Sequence, residues 1–251
     1  MEKEALSKSK LYRLLAELEA SPEDYISLYI AAPSFPRCVN ELSLGPKLDS
    51  CLNDIKETAG QKAVIQQAQK WKTGAAIFWQ ANGNKRIVLP PFPITENRVS
   101  LGRLDSSLLR ETLQTDYTIG VVLVAWGSYA LGLFSGDKLV EHKIGSGHIH
   151  KEHKKGGSSQ KRFARRTEEQ RDDFLRRVAN RIDERFQGRS ANCIFFGGNR
   201  FILKPLSKEC KYLQLESKRI SGRVLEIRGH ANMQALNHSL TDINTSLTFS
   251  V

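Results

Sequence analysis

The chain has 251 residues, 40% apolar and 26% charged, which excludes a wholly disordered chain, a collagen and a coiled-coil rod. No apolar run approaches the roughly 18 residues of a membrane span, and the longest, residues 121–126, is strand-sized. The net charge of +11 is unevenly placed, with +2 on residues 1–115 and +9 on residues 116–251.

The N-terminus leads into an amphipathic stretch rather than the apolar core of a signal peptide. A first helix is predicted from Leu11, Leu14, Leu15 and Leu18 at helical spacing, ended by Ser21-Pro22. Residues 25–30 are β-rich, and a second helix is expected over residues 46–72, broken near Gly60. Residues 75–79 and 85–89 flank an Asn82-Gly83 pair that signals a hairpin, because Asn-Gly accepts positive φ. Residues 95–102 are weakly patterned, and a short helix over residues 106–113 precedes a boundary near Thr115-Asp116.

Beyond that boundary come three strand candidates, residues 119–126, 128–134 and 138–144, which read as an antiparallel meander. A long helix is predicted over residues 160–186, with Phe163, Phe174, Val178, Ile182 and Phe186 toward the core and Arg and Lys opposite. Short strands at residues 193–196 and 222–228 and a helix at residues 232–240 complete a mixed sheet layered with helices. The four cysteines, Cys38, Cys51, Cys193 and Cys210, have no CxxC spacing and read as reduced thiols. A soluble, cytoplasmic, monomeric protein is expected, with no membrane partner and no cofactor.

Between the meander and the long helix lies the chemically unusual segment. Residues 143–166 hold eight Lys or Arg against one acid, Glu152. Clustered positive charge is the footprint of a nucleic-acid contact, although a basic loop that merely aids solubility shares the composition. Gly156 and Gly157 allow the backbone to approach a ligand closely, and amides just ahead of a helix suit an anion or a developing oxyanion. His148, His150 and His153 invite a metal reading. No nearby Cys, Asp or further His completes a zinc pattern, so no metal is expected and the histidines read as solvated or RNA-facing.

The run Lys154-Lys155-Gly156-Gly157-Ser158-Ser159-Gln160-Lys161-Arg162-Phe163-Ala164-Arg165-Arg166 resembles the catalytic loop of archaeo-eukaryotic class I peptide release factors. Those factors carry Gly-Gly-Gln on a loop followed by a helix that opens with an Arg-Phe-Ala-Arg type sequence. The resemblance extends to Phe174 and Arg177-Val178-Ala179, and backward to Leu133-Phe134-Ser135-Gly136. Two serines separate the glycines from the glutamine here. That Gly-Gly-x-x-Gln form is similar to the quality-control, Vms-like branch of the superfamily, bacterial type. No Asn-Ile-Lys-Ser element for stop-codon reading is present, and a third domain that binds a translational GTPase is not expected.

The resemblance implies an α/β fold (an α+β mixed sheet). Residues 116–251 would form an RNase H-like catalytic domain with a five-stranded sheet, and residues 1–115 a smaller, reduced N-terminal-like domain. It implies ribosome rescue by peptidyl-tRNA hydrolysis, with the ribosome or large subunit and peptidyl-tRNA as partners. Gln160, Gly156 and Gly157 would be catalytic, and Lys151, Lys154, Lys155, Lys161, Arg162, Arg165 and Arg166 would hold RNA. A tRNA endonuclease using the same loop, and a non-catalytic ribosome-binding protein, are the alternatives.

Overall fold

The computed structural model describes the chain except Pro33, Leu44, His148, residues 150–157 and Arg228, and except the side chains of Lys47, residues 158–161 and Arg200. Two compact units emerge: Met1–Thr115 together with Ile243–Val251, and Asp116–Asp242.

The first unit contains β1 (Glu2–Leu6), α1 (Lys8–Glu19), β2 (Tyr25–Ile30), α2 (Asp49–Ala59), α3 (Lys62–Trp71), β3 (Ala75–Trp79), β4 (Lys85–Leu89), β5 (Arg98–Gly102) and α4 (Ser107–Gln114). Its sheet has six antiparallel strands in the order β1-β11-β4-β3-β2-β5, where β11 is the closing strand Ser246–Ser250. Both faces are covered. Ile26, Leu28 and Ile30 pack with Ile55, Val64 and Trp71 on one side, and Tyr25 and Tyr29 pack with Leu11, Leu15 and Leu109 on the other. Double burial explains why β3 is a continuous apolar run and β2 is one broken only by Ser27.

Three expectations are corrected here. The N-terminus opens as a strand, because Glu2–Leu6 pairs with the far C-terminus, Leu6 opposite Ser246. That closing strand lies in the first unit's sheet, so residues 116–251 do not form one continuous unit. The 80–84 connection turns without a positive φ at Asn82 or Gly83. The Gln80 side chain closes it instead, its Oε1 accepting from the Asn84 N–H at 2.7 Å.

The second unit holds β6 (Thr118–Ala125), β7 (Ser128–Ser135), β8 (Lys138–Ser146), α5 (Ser158–Phe186), β9 (Cys193–Gly198), α6 (Arg200–Glu209), α7 (Lys211–Leu215), β10 (Ile220–Leu225) and α8 (Met233–Ile243). Its five strands run in the order β10-β9-β6-β7-β8. Strand β7 is antiparallel to β6 and β8, whereas β9 is parallel to both β6 and β10. Strands β6, β8, β9 and β10 therefore all end at one edge of the sheet, and α5 and α6 both start there.

Helices α5 to α7 cover one face, where Val122, Val124, Leu131 and Leu133 meet Phe174, Val178, Ile182, Ile202 and Leu206. On the other face α8 lies so close to the sheet that a Cβ on Gly132 would sit 2.7 Å from Leu236. Arg223 of β10 is buried and donates to the Asp242 carbonyl at 2.7 Å, joining the strand to the end of α8. Burial lowers its guanidinium to about 10 despite the opposing pull of Asp242.

Candidate nucleic-acid interface

The basic segment leaves the sheet where β8 ends, and glycine makes that exit possible. Gly127, between β6 and β7, has φ +88° and accepts the Gly147 N–H at 3.0 Å, which ties the end of β8 to the neighbouring turn. A Cβ on Gly145 would fall 2.3 Å from the Tyr129 ring, and one on Gly147 would fall 2.8 Å from Phe174. The backbone thus lies flat on aromatic rings that a side chain would push away.

Those rings form a small platform beneath the end of β8. Phe174 lies 6.2 Å from both Trp126 and Tyr129, centroid to centroid, and the Arg171 guanidinium sits 5.2 Å above the Trp126 ring. Ile149 packs against the same core. Nothing in the local sequence pattern singles out Trp126, Tyr129, Arg171 or the Gly127–Gly147 bond. The spacing of glycines at 127, 145 and 147 was the available signal.

On the far side of the segment, α5 runs beyond the core. Thr167 is its first buried residue along the described side chains, and residues 162–166 are all exposed. From Ser158 to Arg166 the backbone is helical, a reach of roughly 13 Å at 1.5 Å per residue. No acid occurs in the first turn. Arg162, Arg165 and Arg166 point away from the core, and Arg165 pairs with Glu169 at 2.9 Å as a solvated pair, 83% and 60% exposed. Such a pair contributes about 0–1 kcal/mol, so it does not commit Arg165 to the fold.

Phe163 corrects the sequence reading. It is 52% exposed, because the core ends one turn below it while helical periodicity continues. The backbone of Gln160 and Lys161 belongs to the opening turns of α5. Gly156, Gly157, Lys151, Lys154 and Lys155 lie outside the described residues, as do His148, His150 and His153.

Among the described residues no three His, Cys, Asp or Glu side chains gather as a metal site. No helix among them is long and apolar enough to cross a membrane. The cysteines are free, and burial pushes the Cys193 thiol up to about 11 and the Cys210 thiol up to about 12. Asp183 of α5 accepts from Cys210 Sγ at 3.2 Å and from the Tyr212 N–H at 2.8 Å, anchoring α7. A neutral thiol in this setting is structural rather than nucleophilic.

The fold and site together define a chain of two α/β units, one of which carries a strongly basic strand-to-helix segment. No curated protein matches it. Among solved structures it is similar to an archaeal translation termination factor, aRF1, at 17% identity and TM-score 0.38, covering 95% of this chain and 73% of that one. It is also similar to Saccharomyces cerevisiae Dom34, a translation termination-like factor, at 9% identity and TM-score 0.30, covering 95% and 62%. Archaeoglobus fulgidus Pelota matches at 8% identity and TM-score 0.31, covering 96% and 63%. The chain therefore spans less than two thirds of the Dom34 and Pelota chains. The Actinobacteria/chloroflexi VLRF1 release factor model matches residues 117–246, just over half of the sequence, and the chain belongs to that family.

Proposed function

We propose that this protein hydrolyses peptidyl-tRNA inside the ribosome or the large subunit, freeing nascent chains from stalled complexes without reading a stop codon. Family membership over residues 117–246 carries this reading, since that stretch runs from β6 through the basic segment and α5 to the end of α8. The exposed, one-signed start of α5 supports it, because a probe entering a centre walled by RNA must be narrow and positive. The strand order and directions of the second unit suit an RNase H-like catalytic domain of the bacterial, Vms-like type, and residues 1–115 serve as the reduced N-terminal-like domain. The protein acts in the cytoplasm as a monomer, with the ribosome and peptidyl-tRNA as its partners.

In this reading Gly156 and Gly157 form the tip. Lys151, Lys154 and Lys155 on one stem, and Lys161, Arg162, Arg165 and Arg166 on the other, hold phosphates and fix orientation. Gln160 places the attacking water, and its backbone N–H receives the oxyanion. Water oxygen bonds to the ester carbonyl carbon while the carbonyl pair moves onto oxygen. Collapse breaks the bond to the tRNA ribose oxygen, which takes up the proton from water. A neutral amide is a weak base, so positioning and the surrounding RNA contribute most of the acceleration.

The test is single-turnover release from ribosomes stalled on a message without a stop codon. Gln160→Ala should slow release about 10²–10³-fold and leave ribosome association intact. Undiminished turnover would remove Gln160 from the site.

A further inference from the structure

Phe201 is the most exposed aromatic residue among the described side chains, at 84%, and it stands at the edge of the sheet from which the basic segment leaves. Its neighbours Ile202, Leu203 and Leu206 already bury the apolar face of α6. Its mount is rigid. Asn199 caps the helix by accepting the Phe201 N–H at 2.9 Å. Gly198 precedes it at φ +107°, pressed so closely on Val124 that a Cβ would fall 2.1 Å from the carbonyl oxygen.

The two turns of α6 that follow Phe201 are positive. Lys204 and Lys208 follow it at helical spacing on exposed positions, and no acid occurs in α6 before Glu209. Helices α5 and α6 run side by side, and Asp172, Arg176 and Glu209 line a cleft with Lys204 and Lys208. Three residues back from Lys204, Phe201 stands roughly one helical turn short of Arg165 along the axis. An exposed ring interleaved with cations is the arrangement that stacks unpaired bases while tracking their phosphates.

We infer that Phe201, with Lys204 and Lys208, is a second RNA contact: an unpaired base stacks on the ring and the lysines take the flanking phosphates. The inference rests on the reading that this edge of the second unit faces RNA. It adds a base-stacking site on α6, separate from the loop that approaches the ester.

The full chain is titrated with a labelled, mixed-sequence single-stranded RNA of about 12 nucleotides, long enough for one such site. Phe201→Ala should weaken binding about 5- to 150-fold with the salt slope unchanged. Phe201→Trp should retain the affinity and add emission that RNA quenches. Lys204→Gln with Lys208→Gln should flatten the log–log salt slope by about 1.4. All are exposed positions, and melting curves confirm the fold. Wild-type affinity in Phe201→Ala, while neutralising Arg162, Arg165 and Arg166 does weaken binding, would overturn the α6 contact and leave the release reading standing. Wild-type protein that binds neither this RNA nor ribosomes would overturn both. Self-association abolished by Phe201→Ala at unchanged RNA affinity would identify a protein-facing surface, and would equally overturn the inference.

Discussion

Gly147 donates its N–H to the carbonyl of Gly127 at 3.0 Å, and this bond fixes where the basic segment departs from the sheet. Gly127 holds a positive φ of 88°, and a Cβ there would lie 3.0 Å from the Gly147 carbonyl oxygen. Gly127→Ala should cost about 1–2 kcal/mol from left-handed backbone strain. Gly147→Ala, whose methyl meets Phe174, should cost about 1–3 kcal/mol from overpacking. Urea midpoints measure both. Release should slow in each variant while the salt dependence of ribosome binding stays unchanged, and unchanged stability would contradict the account of the exit.

Two phenylalanines of α5 should behave oppositely. Phe174 is fully buried between Trp126 and Tyr129, so Phe174→Ala should destabilise by about 3–5 kcal/mol. Phe163 is half exposed, so Phe163→Ala should stay within about 0.5 kcal/mol of wild type. A large loss of stability at Phe163 would return it to the core that sequence periodicity assigned it.

Neutralising Arg162, Arg165 and Arg166 together should weaken ribosome binding and lower the log–log salt slope by about two to three, since each phosphate contact carries about 0.7–0.9. The melting temperature should barely move, because the ion pair of Arg165 with Glu169 is solvated. An unchanged slope in the folded variant would make these arginines a solvated helix face.

The buried thiols set a sign for alkaline pH. Cys193 at about 11 and Cys210 at about 12 keep their protons where an unfolded thiol, ordinarily near 9, has lost them. The native state then binds more protons than the unfolded state. Stability is fully present below pH 9 and falls as pH rises toward 11 and 12. Urea midpoints should be flat from pH 7 to 8.5 and then decline, and Cys210→Ala should shed part of the decline. A midpoint that rises through this window would contradict the burial of these thiols. Native protein at pH 8 should leave Cys210 unlabelled by thiol reagents.

Much of the second unit was legible because its signals are local. The apolar run at residues 119–126 and the Ser135-Gly136-Asp137 turn set the meander, and Phe174, Val178, Ile182 and Phe186 mark the buried face of α5. Strands β1 and β11 were not legible. Glu2–Leu6 has helix-forming composition and becomes a strand only by pairing with Ser246–Ser250 at the other end of the chain. Strand β5 was faint because, as a sheet edge bonded only to β2, it alternates exposed and half-buried residues and leaves Val99 and Leu101 outside. Phe163 shows a different limit. Periodicity gives a residue's direction around a helix, not how far along the axis the core extends. The Gly127–Gly147 bond joins the β6–β7 turn to the residue after β8, and the glycines at 127, 145 and 147 are its only trace in the sequence.

The most direct test follows the ends of the tRNA. Purified protein is added to ribosomes or large subunits carrying labelled peptidyl-tRNA, and gels resolve the peptide, the intact tRNA and any shortened tRNA. Ester hydrolysis predicts free peptide and a whole tRNA that retains its terminal CCA, with both lost in Gln160→Ala. A tRNA shortened by cleavage within its chain, or tight binding that never yields free peptide, would contradict peptidyl-tRNA hydrolysis as the activity of this protein.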